Sequence, residues 1–343
     1  MKESLAELRA LAEKKFSKAA GMFFPSRSSV EQATPEAISL YRAQRLNGYV
    51  AVDLCCGIGM DAIALAKNCR KVFAAEIDKN ILECAKKNAK AYGVENIEFI
   101  NSNCFGLGLK SLNADIAFAD PSRRTAQGKR VSALDETEPD AKKLAFFIEK
   151  SGIKKSCIEV SRELSVRELP FDCEREYVSL AGELNCASLY FGALKKCERS
   201  AVALPSGERI ESGSLEPRPF PELPSPKRFL FELGECVVKA GLQAELLEKL
   251  GAGISVFSGS FFTSDSVVRS AFFKNSFGVL REVKEKDLVQ ELRALGAGKV
   301  VLRGSFEPKL QALAKKEIES QLSGERKFHV FNLKNRVFVC SSV

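Results

Sequence analysis

Asp53-Leu54-Cys55-Cys56-Gly57-Ile58-Gly59-Met60-Asp61 restricts the possible folds of this chain more than any other stretch. An apolar run, Tyr49 to Val52, precedes it, and an amphipathic segment, Ala62 to Lys67, follows it. That order reads as strand, glycine-bearing turn and helix N-terminus, the arrangement in which a parallel sheet holds a nucleotide cofactor. Gly57 and Gly59 let the backbone approach a ligand with no Cβ in the way. The alternation continues downstream. Strands are predicted near 50–54, 71–76, 96–100, 114–119 and 156–161, and helices near 60–67, 79–92 and 137–150. Such alternation with short connections predicts an α/β, Rossmann-like, doubly wound sheet.

The flanks differ in character. Residues 3–20 place Leu5, Leu8, Leu11, Ala12 and Phe16 on one helical face. Thr34-Pro35-Glu36 reads as an N-cap, a proline at the first helical position and an acid in the first turn, starting a helix that runs to about Leu46. Residues 1–48 are therefore expected as an N-terminal helical unit, followed by the cofactor domain over 49–204. Short strands at Tyr177–Leu180, Ala187–Phe191 and Ser200–Ala203 predict an antiparallel edge to its sheet. Six of the twelve prolines fall between Pro205 and Pro226, which predicts a linker over 205–226. A small α+β domain should fill 227–343. It is read as helices near 234–250, 286–295 and 308–322 and strands near 268–273, 299–303, 327–332 and 335–340. Its last two strands form a hairpin around Leu333-Lys334-Asn335-Arg336.

Bulk properties narrow the setting. No run of about 18 uncharged apolar residues occurs, which argues against a membrane span. The first 18 residues carry charges throughout and lack a signal-peptide apolar core. Eleven scattered cysteines with no C-x-x-C pair fit a reducing cytoplasm, and a single histidine, His329, makes a zinc site improbable. The formal net charge of +8 is compatible with a polyanionic partner or with an ordinary surface.

Downstream motifs select among cofactors. The strand Lys71–Ala75 ends in Glu76-Ile77-Asp78, at the distance from the glycine turn where an acid binds a ribose. Asp78 should cap the following helix. Ala62 occupies the third glycine position of a dinucleotide fingerprint, an accepted variant, so the turn alone leaves a nicotinamide cofactor open. Asn101-Ser102-Asn103-Cys104 follows the third strand, where an adenine edge would lie. The fourth strand, Asp115–Ala119, ends in Asp120-Pro121-Ser122-Arg123-Arg124.

This ordered set resembles the class I S-adenosylmethionine-dependent methyltransferases, and within them the group with an Asp-Pro-x-Arg-Arg motif and a C-terminal THUMP-like domain. Glu31-Gln32-Ala33-Thr34, Tyr41-Arg42-Ala43, Lys239-Ala240-Gly241-Leu242 and Leu302-Arg303-Gly304 extend the resemblance over nearly the whole chain. It implies S-adenosylmethionine as cofactor. Gly57 and Gly59 would approach its methionine part and Asp53 its ammonium. Glu76 would bind the ribose, Ile77 would be a further cofactor-binding residue, Asn103 and Cys104 would flank the adenine, and Asp120 would sit by the methyl group. Two residues depart from the pattern: Cys55 stands for a first glycine, and Asn103 for the usual Asp.

Arg123, Arg124, Lys129 and Arg130 bring four cations into eight residues with no acid between them. On a loop over the site they would face a polyanion, with Arg123 or Arg124 holding a flipped base; alternatively they form a solvated loop paired with Asp135 and Glu136. The THUMP-like tail implies an RNA substrate, tRNA or rRNA, although residues 229–343 hold 17 Lys+Arg against 13 Asp+Glu. A cysteine nucleophile, with Cys104 and Cys157 nearest the strand ends, is weighed against buried inert thiols. A methyltransferase acting on a protein or small molecule, and a non-catalytic RNA-binding protein, remain alternatives. A nicotinamide oxidoreductase does not account for the Asp-Pro-Ser-Arg-Arg strand end.

Overall fold

A computed structural model describes residues 3–123, 131–164, 169–304 and 308–343. The chain forms two compact units: Met1–Pro217 with Lys239–Leu242, and Arg218–Val238 with Gln243–Val343.

The first unit begins with helices α1 (Leu5–Ala12), α2 (Arg27–Gln32) and α3 (Glu36–Arg45). The sheet elements follow as β1 (Gly48–Asp53), α4 (Met60–Ala66), β2 (Cys69–Glu76), α5 (Lys79–Tyr92), β3 (Ile97–Asn101), β4 (Ile116–Ala119), α6 (Ala141–Ser151) and β5 (Lys155–Val160). The strands β6 (Cys173–Leu180), β7 (Glu183–Gly192), β8 (Arg199–Leu204) and β9 (Glu208–Ser212) complete it. Strand order is β3-β2-β1-β4-β5-β7-β6-β8-β9, parallel from β3 to β5. Order reverses between β1 and β4, and ligands of such sheets bind at the carboxyl ends of the strands beside that point.

Three expectations change here. The helices of residues 1–48 share a core with the cofactor-turn helices, since Leu8, Ala12 and Phe16 pack with Ile58, Met60, Ile63 and Tyr92. Pro35, not Thr34, is the N-cap residue of α3, and Thr34 turns its side chain to Asp61. The expected antiparallel edge is mixed: β7 runs antiparallel to β5 and β6, but β6 and β8 are parallel. Strand β6 is interior in spite of its charges. Glu174 and Glu176 are fully buried and held by Arg45, at 2.9 and 2.6 Å, with Arg209 2.8 Å from Glu174. Pairing with hydrogen-bonded guanidinium groups is what lets carboxylates enter a core.

The second unit contains β10 (Phe229–Leu233), the greater part of α7 (Glu235–Ala240), α8 (Gln243–Leu250), β11 (Ile254–Ser258), β12 (Phe261–Ser264) and β13 (Phe273–Val283). Then come α9 (Leu288–Ala294), β14 (Ala297–Gly304), α10 (Pro308–Ser320), β15 (Arg326–Leu333) and β16 (Arg336–Ser342). Its sheet runs β11-β12-β10-β13-β16-β15-β14, with β14 and β15 parallel. Phe257, Phe261, Phe277, Phe331 and Phe338 fill one face. The hairpin turn lies where expected, with Lys334 and Asn335 both at positive φ. The helix read over 234–250 breaks at Gly241, and the strand read at 268–273 begins instead at Phe273. Residues 205–226, read as linker, include β9, which pairs with β8, while the two units divide at Pro217 and Arg218. Lys239-Ala240-Gly241-Leu242 belongs to the first unit.

Candidate functional site

A cleft of about 660 Å³ opens at the carboxyl ends of β1, β2, β3 and β4, a size that accommodates a small molecule. Its lining includes Gly57, Glu76, Ile77, Asn103, Cys104, Asp120 and Arg123. Asp53 and Gly59 are not among the lining residues, and Arg124 lies outside the described residues.

The turn after β1 is held from both sides. Leu54 N–H donates to Phe118 O and Cys56 N–H to Ala75 O, each at 2.9 Å, so the loop is tied to β4 and β2. Asp53 is fully buried beneath it, and its Oδ1 accepts the Cys55 N–H at 3.2 Å. Its Oδ2 has no partner among the described residues. Burial, with Asp61 and Asp120 nearby, pushes the Asp53 carboxyl up. Asp53 therefore holds the turn and contributes one unused buried acceptor. The two glycines serve different ends. Gly57 has φ +52°, and a Cβ there would meet open space, so it gives the cleft a bare backbone wall. Gly59 has φ +92°, and its Cβ would lie 3.1 Å from Ala85 Cβ, so it is the contact that seats α4 against α5.

Glu76 ends β2 at the lip. Its Oε2 accepts the Gly57 N–H at 3.1 Å and its Oε1 the Asp78 N–H at 2.9 Å. Each carboxylate oxygen has a second lone pair, so both can still accept from a ligand hydroxyl. Ile77 is 70% exposed, an apolar surface at the same lip. Asn103 Oδ1 accepts the Phe105 N–H at 3.0 Å. The Cys104 and Cys55 thiols share a hydrogen bond. Cys157 is completely buried and pushed up to about 12, which suits an inert core thiol.

Asp120 follows β4 directly. Burial first, then the negative charge of Glu159, raises its carboxyl to about 8, against the pull of Arg123 and Arg42. Ser122 and Glu138 exchange backbone hydrogen bonds at 2.8 and 2.9 Å, and Val131 N–H donates to Arg123 O at 2.9 Å, closing the base of the loop. Arg123 corrects an expectation. Its guanidinium turns inward, donating to Glu159 Oε1 at 2.8 Å and Val160 O at 3.2 Å, and lies 3.8 Å from Asp120. Its side chain lies beside Asp120 on the lining of the cleft. The pairing weighed for Asp135 is also changed, since that carboxylate bonds Lys142 of α6 at 2.8 Å.

Four participants were given no role in the site from sequence: Thr34, read as a helix cap, Arg42 and Asp61, read only within motifs, and Glu159. Arg42 of α3 bonds both Asp61 and Glu159, and its guanidinium lies 4.6 Å from the centre of the Phe118 ring. Asp61 carries a readable signal, an acid one turn into the helix after the glycines. Arg42 and Glu159 carry none, because they meet only through the fold.

Comparisons with known proteins bear on the same region. The family model described as RNA cap guanine-N2 methyltransferase matches residues 48–146. An uncharacterized S-adenosylmethionine-dependent methyltransferase of Mycobacterium tuberculosis is 28% identical over 288 residues, covering 80% of this chain and 76% of the relative. The 23S rRNA (uracil(1939)-C(5))-methyltransferase RlmD of Legionella pneumophila is 30% identical over 98 residues, covering 27% of this chain and 22% of its own. A Porphyromonas gingivalis crystal structure named as a methyltransferase shares the fold with TM-score 0.77 at 19% identity, covering 97% and 88% of the two chains. Strand order, the matching family model and the relatives together support a class I methyltransferase, and the solved structure shares its fold.

Proposed function

We propose that the chain uses S-adenosylmethionine to methylate a base in tRNA or rRNA. The observation that carries this reading is the single cleft that joins Glu76 at one end to Asp120 at the other, beside the point where strand order reverses. The bound cofactor would supply a methyl group on a sulfonium. Glu76 would accept the ribose hydroxyls, Ile77 would cover an adenine face, and the Asn103 NH₂ would donate to an adenine nitrogen beside Cys104. Gly57 would border the methionine part, and Asp53 Oδ2 would serve its ammonium, directly or through water. Asp120 would accept an N–H of the entering base amine at a carboxylate oxygen and so aim its lone pair at the methyl group. Positioning of this kind supplies much of the rate of a transfer step. With Arg123 turned inward, contact with phosphate falls to Arg124, Lys129 and Arg130, and to the second unit, which we read as THUMP-like and RNA-binding. The relatives named for RNA methylation, and the RNA family model, support the substrate class.

One observation favours a second reading. Acids outnumber cations on the described lining: Glu31, Asp61, Glu76, Asp120, Glu138, Glu159 and Glu163 against Lys15, Arg123 and Arg162. Such a wall suits a neutral or cationic acceptor on a protein or small molecule. The deciding experiment incubates the protein with methyl-labelled cofactor and total RNA from cells lacking the gene, followed by nucleoside mass spectrometry. A labelled methylated nucleoside is expected. Label confined to protein or small molecules would reject the RNA assignment.

A further inference from the structure

We propose that Arg42 and Glu159 are positioning residues for Asp120, a buried relay that sets when Asp120 carries its charge and so when the cleft takes up a cationic cofactor. The proposal rests on the reading of this cleft as the S-adenosylmethionine site.

The geometry is a chain of ion pairs running from the cofactor helix to the acceptor side. Asp61 of α4 bonds Arg42 of α3, and Arg42 bonds Glu159 of β5. Glu159 then bonds Arg123 at 2.8 Å, and Arg123 lies 3.8 Å from Asp120. The side chains of Arg42, Asp61 and Glu159 are 2, 10 and 5% exposed, so water screens these charges little. The groups that act on Asp120 are Glu159 on β5, Arg123 on its own loop, Arg42 on α3, Asp61 on α4 and Asp53 on β1, and the Cys55 thiol of the glycine turn also feels its charge.

Four carboxyl groups share this space with two guanidinium groups. Full ionisation would leave the buried cluster negative, and burial penalises that state. Burial pushes both Asp120 and Asp53 toward the neutral form. A sulfonium with its ammonium brings the missing positive charge, so cofactor binding and ionisation of Asp120 are linked. Binding should release a proton, and affinity should rise with pH up to the point where Asp120 ionises in the free protein. Glu159 and Arg42 move that point in opposite directions. Glu159 disfavours the charged carboxylate, and Arg42 favours it.

The test is calorimetric titration of the full chain with S-adenosylmethionine itself, from about pH 6 to pH 9. In the wild type, affinity should climb by up to tenfold per pH unit and level off near pH 8, where the Asp120 carboxyl titrates. The cofactor's own α-amine titrates on the alkaline side and is common to every variant. Asp120→Asn should make the acidic limb shallower, leaving the share that Asp53 contributes. Glu159→Gln, which keeps an oxygen to accept from Arg123, should move the limb down by about one pH unit. Arg42→Met should move it up. Should Arg42→Met not fold, the other two variants decide the matter. A limb that stays in place in Glu159→Gln, or is unchanged in Asp120→Asn, overturns the proposal while leaving the cleft as the cofactor site. Absence of wild-type binding at any pH overturns that assignment and the relay with it.

Discussion

Replacing Arg42 with Met removes the cation that, among the described residues, bonds both Asp61 and Glu159. Arg42 is among the largest fully buried side chains of the protein. Methionine fills much of its volume but supplies no donors, so two carboxylates lose a partner inside the fold. Breaking a buried pair by removing one member costs about 3–5 kcal/mol, because the other charge stays behind. Here two acids stay behind, and the contact between the guanidinium and the Phe118 ring is lost too. A loss of about 4 kcal/mol is therefore expected, a large part of the roughly 5–15 kcal/mol that stabilises a domain. The sign with pH follows from linkage. Burial already raises the Asp61 carboxyl while Arg42 opposes the rise. Without Arg42 it should rise further above its unfolded value, so the variant loses stability as pH rises past that value. The deficit should be greatest near pH 8 and shrink toward pH 5. Urea unfolding followed by circular dichroism at both pH values measures it, with wild type alongside and the two units allowed separate transitions. A difference below about 1 kcal/mol, or one that does not change with pH, would refute the reasoning.

Other outcomes follow from single residues. Glu76→Ala should weaken S-adenosylmethionine binding by about tenfold or more, from the loss of charged hydrogen bonds, with unchanged secondary structure; calorimetry reads it. Gly59→Val should destabilise the first unit by about 2 kcal/mol or more, since a branched side chain at positive φ would press on Ala85. Gly304→Ala should cost the second unit a similar amount, since its Cβ would stand 2.1 Å from Asn332 O at φ +100°; urea unfolding measures both. His329, lowered to about 4 by burial and by Arg303, should make stability fall as pH drops from 6.5 toward 4. Over that range the unfolded chain takes up a proton that the folded ring refuses, and His329→Gln should flatten that slope in urea titrations.

The parallel half of the sheet was readable because its strands are apolar runs that alternate with amphipathic helices of ordinary length. Helix α5 begins and ends where Asp78 and Gly93 cap it, both plain in the sequence. The cleft residues Glu76, Asn103 and Asp120 were legible because each follows the end of a parallel strand. What escaped has a common cause. Glu174 and Glu176 look like surface residues until Arg45 and Arg209, distant in sequence, neutralise them, so β6 was taken for an edge. Arg42 looks like an exposed helix residue, and Arg123 like a free loop cation, for the same reason. Gly59 was assigned to a ligand because its true neighbour, Ala85, lies on another helix. Strands β11 and β12 did leave a signal, the Gly259-Ser260 pair between two apolar runs, which is a two-residue hairpin turn.

A crystal structure of the protein with S-adenosylhomocysteine tests the central claim most directly. The ribose hydroxyls should lie within hydrogen-bond distance of both Glu76 oxygens, the adenine between Ile77 and Asn103, and the sulfur should point toward Asp120. A ligand bound elsewhere, or one whose ribose does not touch Glu76, would contradict the account.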